Sequence, residues 1–199
     1  MRITTTRAAL AGLITTIASV GLMPGGVWAI DYDEAVDGDL SGDRLAPTLL
    51  SVGVGSNRVS ANSGPGDREY FSINVGSGFA LSAIILDAFA GDDPRAFIGV
   101  QTGSTFTVDF STQDPSSLLG YALFGPFDPG VGNDMLQLMG EGPGAIGFTG
   151  PLAEGVYTFW AQQTGAASTY TLDLQITQIP EPSLLGLAAC TAITLRRRK

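Results

Sequence analysis

The chain is 199 residues long, carries 19 acids and 10 bases, has no histidine, and holds its one cysteine, Cys190, close to the C-terminus. These absences exclude His-based triads, thiol nucleophiles, disulfides and the usual zinc ligand sets from the middle of the chain. Six of the bases lie at the two extremes; over residues 30–178 four arginines face eighteen acids, a balance of −14 that repels phosphate backbones and excludes nucleic acid as a partner.

In chain order, Arg2 and Arg7 precede an apolar run over 8–23, which Pro24-Gly25-Gly26 interrupts. Val27-Trp28-Ala29 then offers the small-residue pattern of a signal-peptidase site. Residues 1–29 are therefore expected to form a secretory signal helix. It is delivered to the Sec translocon and cut after Ala29.

The segment that follows is acidic. Asp37, Asp39 and Asp43, spaced by Gly38 and Gly42, resemble the start of an EF-hand loop, in which hard oxygen ligands alternate. The twelfth position is Thr48 where a bidentate Glu is needed, and no helices flank the run, so an EF-hand is excluded. Asp37, Asp39 and Asp43 stand as candidate calcium ligands in a looser site, with Asp92 and Asp93 or with Asp128 and Asp134. A solvated acidic arm is the plainer reading. No cofactor other than Ca2+ is expected.

Period-two patterns and glycine turns then predict strands over 48–54, 58–61, 71–75, 80–89, 97–102, 119–124, 135–139, 156–163 and 169–176. The clearest alternates Tyr170, Leu172, Leu174 and Ile176 with Thr169, Thr171, Asp173 and Gln175. The predicted fold class is all-β: one domain over 30–178, an antiparallel β-sandwich or jelly roll of about eight or nine strands. Asp67 is expected to shape the turn into its strand and Arg68 to pair with a surface acid. Trp160 is the one tryptophan left after leader removal. With Tyr157, Phe159 and Tyr170 it offers a platform for a sugar ring, although such residues commonly form core. Paired carboxylates would allow a secreted hydrolase without histidine, but no pair is marked by spacing.

The tail begins at Ile179. Pro180, Glu181, Pro182 and Ser183 precede an apolar run, and Arg196, Arg197, Arg198 and Lys199 end the chain. Residues 183–195 are expected to form a short membrane helix of about 20 Å. The basic end should stay cytoplasmic under the positive-inside rule. The Pro-Glu-Pro motif, apolar run and basic terminus together resemble the PEP-CTERM sorting signal. The resemblance implies processing by an exosortase in a Gram-negative host that makes extracellular polysaccharide. It makes 179–199 a sorting tail, anchored transiently in the inner membrane before the protein reaches the cell surface or medium.

A second resemblance spans residues 33–177. The early acidic stretch, the element Gly66-Asp67-Arg68-Glu69-Tyr70-Phe71 and the closing Gly155-Val156-Tyr157-Thr158-Phe159 hairpin look like the bacterial pre-peptidase C-terminal domain. That family is a β-sandwich and generally non-catalytic. The expected function is a non-enzymatic exported surface or matrix protein; the alternative is a carbohydrate- or calcium-binding module associated with exopolysaccharide.

Overall fold

The alternation of apolar and polar residues becomes two stacked sheets in the computed structural model, which describes residues 29–112 and 114–180. The strands are β1 (Asp31–Asp33), β2 (Thr48–Leu50), β3 (Gly55–Ser63), β4 (Arg68–Val75) and β5 (Phe79–Gly91), then β6 (Ala96–Thr102), β7 (Gly120–Phe124), β8 (Gly155–Gln162) and β9 (Ser168–Gln178). One sheet has the order β1-β3-β9-β5 and the other β2-β4-β8-β6-β7. Between them lies a single large core, to which Val59, Phe71, Ile73, Ile84, Leu86, Ile98, Phe159, Leu172 and Leu174 contribute fully buried side chains. The all-β expectation holds.

Three local expectations are corrected. Two pairings, β1 with β3 and β2 with β4, are parallel rather than antiparallel, because the chain reaches each edge by a crossing connection instead of a hairpin. Asp31–Asp33, expected to be a solvated arm, is one of those edge strands. Residues 135–139 are not a strand: Leu136–Gly140 is a short helix, α2, that follows a helix α1 at Glu34–Asp37. Met135, Leu136 and Met139 are buried at a one-turn spacing, and the Asp134 carboxylate accepts the Leu136 and Ile84 amides, tying α2 to the edge of β5.

Strand β8 is buried from Tyr157 to Ala161, where both faces are covered. Tyr157, Phe159 and Ala161 face the core between the sheets. On the outer face, Trp160 and Tyr70 are covered by Phe106, Val108 and Leu118 from the β6–β7 connection. Arg44 clamps that connection, donating to the Phe106 and Thr107 carbonyls and pairing with Asp109 at 3.7 Å.

No helix among the described residues is long and apolar enough to cross a membrane. Ala29 and Pro180 are the outermost described residues. The predicted leader before Ala29 lies outside them, as do Glu181, Pro182, Ser183, the apolar run and Arg196 to Lys199.

Candidate cation site

Glu69 belongs to β4, in phase with Phe71, Ile73 and Val75, and so points to the inner face of its sheet. It is 0% exposed, and neither carboxylate oxygen has a hydrogen-bond partner among the described residues. A buried, unpaired carboxylate is among the costliest groups a fold can carry.

The acidic segment supplies the neighbours. Asp33 starts α1 by accepting the Ala35 amide, and Asp37 accepts the Asp33 amide in return. Glu34 is thereby aimed at the sheet, where its two oxygens accept the amides of Leu40 at 3.0 Å and Asn62 at 2.7 Å. Gly38 takes a positive φ of 102° that ends the turn, and its carbonyl accepts the Tyr32 hydroxyl at 2.7 Å. Leu40 is buried in the core, and Ser41 accepts the Tyr70 amide, so the chain through Asp39 runs beside the start of β4. One carboxylate oxygen from each of Glu34, Asp39 and Glu69 lies within 4.8 Å of the other two.

The electrostatics follow from this crowding. Burial first, then the charges of Glu34 and Asp67, push the Glu69 carboxyl up to about 9. Asp67 is also raised, by burial and by Asp39. Glu34 and Asp67 lie near enough to share a proton with Glu69, but a carboxyl–carboxylate bond exists only when one partner is protonated. With the cluster proton-free, Glu69 keeps two acceptors and no donor. The Tyr170 hydroxyl is likewise buried without a partner, and burial together with Glu69, Glu34 and Asp67 raises it well above its ordinary value.

Two states relieve such a cluster: a proton on Glu69 or a cation between the carboxylates. The donors are all hard oxygens, which suit calcium; zinc and softer metals favour nitrogen and sulfur. Of the three aspartates marked by sequence, Asp39 alone enters the cluster. Asp37 is engaged by Asp33, and Asp43 accepts the Leu45 amide at 2.9 Å in a local turn. Among the other proposed partners, Asp93 holds the Arg95 amide and Asp134 holds α2. Glu34 stands in the acidic opening read for calcium but was not singled out as a ligand, and Glu69 was missed. The phase of Glu69 with Phe71, Ile73 and Val75 was the available signal, because it placed a carboxylate on a core-facing position.

The sugar platform is not brought together. Trp160 and Tyr157 point to opposite faces of β8, and each is under a tenth exposed. Tyr70, Phe97 and Phe106 enclose the indole, Phe97 edge-on at 4.8 Å.

No family model matches the chain, and comparison with curated proteins and with solved structures also finds no match.

Proposed function

We propose that this is an exported, non-enzymatic β-module that binds calcium between its N-terminal acidic segment and the start of β4. The observation that carries the reading is Glu69, a fully buried carboxylate without a hydrogen-bond partner among the described residues, facing Glu34 and Asp39. Calcium takes six to eight oxygen ligands in flexible geometry, which carboxylates, carbonyls and water can share. A general acid must reach its substrate, whereas Glu69 is sealed from solvent, and this favours a structural over a hydrolytic role. Calorimetric titration of the full chain with Ca2+ tests the site. Saturable binding that Glu69→Gln abolishes supports it; undiminished binding by that variant, or no binding in wild type, defeats it.

Delivery is the second limb of the proposal, motivated by the two ends of the sequence. Residues 1–29 act as leader through the Sec translocon and signal peptidase, and residues 179–199 as a PEP-CTERM tail. Its apolar helix over 183–195 holds the domain outside the inner membrane until an exosortase acts, leaving the product at the cell surface or in exopolysaccharide. Replacing Pro180, Glu181 and Pro182 by alanine should stop processing while export continues. Identical product masses from variant and wild type in the native host would count against this limb and leave the calcium site untouched.

A further inference from the structure

A cleft of about 460 Å3 opens on the outer side of the β6–β7 edge, remote from the acidic cluster in sequence and lined by residues of β6, β7, β8 and the β6–β7 connection. That size suits a small ligand. Its lining is unusually aromatic: it includes Phe97 and Tyr121, which stack at 5.9 Å, Trp160, and Phe110 with the Arg68 guanidinium 3.4 Å over its ring.

Two polar groups at this cleft lack partners among the described residues. The Trp160 Nε1 is buried with no acceptor, although tryptophan is more than nine-tenths buried. Arg95, at the rim, is the second. The ion pairs among the described residues use Arg44 and Arg58, and Arg68 lies over Phe110; among those residues Arg95 has no carboxylate within 4.0 Å. Its backbone is nonetheless fixed, donating to Asp93 and accepting from Gln163. An uncommitted guanidinium is out of place in a segment with eighteen acids against four bases. Asp114, the one acid among the described lining residues, turns its carboxylate to the Ser116 amide. Gln162 adds a neutral donor and acceptor.

We infer that this cleft binds a sugar ring bearing a carboxylate, a hexuronate unit of a polysaccharide. The C–H face of the pyranose lies on the aromatic lining, its carboxylate is taken by Arg95, and its hydroxyls meet the Gln162 amide. The guanidinium supplies the selection for charge, because a neutral sugar leaves it unpaired and a simple carboxylate leaves the rings uncovered.

The test is a fluorescence titration of the full chain carrying Trp28→Phe, so that Trp160 is the remaining indole. Trigalacturonate is the ligand, with galactotriose and acetate as comparisons, all in excess chelator so that calcium plays no part. A saturable change with trigalacturonate, weakened about tenfold or more by Arg95→Ala and by added salt, is expected. No response, an equal response to galactotriose, or an unchanged response in Arg95→Ala would overturn the inference. Arg95 is exposed, so its removal leaves folding intact.

Discussion

Glu34 is held beside the buried Glu69 by two backbone amides, of Leu40 and Asn62, that belong to different parts of the chain. The fold thus brings a second carboxylate to a place where one is already costly. At neutral pH the cation-free protein keeps Glu69 protonated, its carboxyl being raised to about 9 by burial and by Glu34 and Asp67. The native state then holds a proton that the unfolded chain has already lost above its ordinary carboxyl range. This contribution to stability is complete below that range and drains away as pH rises toward 9. In chelator, the melting temperature should therefore fall from pH 5 to pH 8, as this proton removes at most about 1.4 kcal/mol of unfolding free energy per pH unit. Glu69→Gln should flatten the profile; the same slope in wild type and variant would remove Glu69 from the account.

Calcium competes with that proton, so the aspartates can be sorted by their effect on binding. Asp39→Asn should weaken Ca2+ by about tenfold or more, a loss of about 1.4 kcal/mol. Asp37→Asn and Asp43→Asn should change affinity little, because their carboxylates hold backbone amides in α1 and in the following turn. Calorimetry on the three variants reads the order directly. A larger effect at Asp43 than at Asp39 would restore the ligand set suggested by spacing.

How far the sequence reveals this arrangement depends on the residue. Tyr170, Leu172, Leu174 and Ile176 declare β9 because alternation is a property of one strand and needs no partner. The same rule places Trp160 and Tyr157 on opposite faces of β8. It does not show that Phe106, Val108 and Leu118 return to cover the outer one. Met135, Leu136 and Met139 form an apolar run too short for its period to separate helix from strand, and Asp134 and the edge of β5 decide it. The acidic segment reads as solvated because its charges are visible. What the sequence does not display is the pairing of β1 with β3, which carries Glu34 to the sheet. Long-range pairing of this kind is set by the whole fold.

Asn57 offers a separate test of the frame. Its buried amide accepts from Gly53 and Ile30 and donates to the carbonyls of Gly53, Gly55 and Leu174. Asp173, across the strand pair, accepts the Asn57 backbone N–H and the Ser56 hydroxyl. Truncating Asn57 strands several of these groups away from water, each costing about 1–3 kcal/mol when buried and unpaired. Asn57→Ala should lower the unfolding free energy by at least about 2 kcal/mol, read as a lower urea midpoint with an unchanged m-value. A midpoint within error of wild type would mean that water replaces the amide.

Gly120 and Gly42 form a matched pair for the packing of α2 against β7. A Cβ on Gly120 would stand 2.4 Å from the Met139 carbonyl oxygen and 2.7 Å from the Phe148 ring, with no flexible side-chain end to yield at the carbonyl. At Gly42 the nearest atom is the Arg68 carbonyl oxygen at 3.9 Å, an ordinary contact. Neither glycine has a positive φ, so backbone strain plays no part in the comparison. Gly120→Ala should cost about 1–3 kcal/mol, the usual range for overpacking, as the last turn of α2 is forced from the sheet edge. Gly42→Ala should be neutral within about 0.5 kcal/mol, since the added methyl group meets nothing closer than an ordinary contact. Chemical denaturation of both variants in chelator separates this from the cation site. Equal midpoints would show that α2 yields freely, and that Met135, Leu136 and Met139 do not fix its distance from the core.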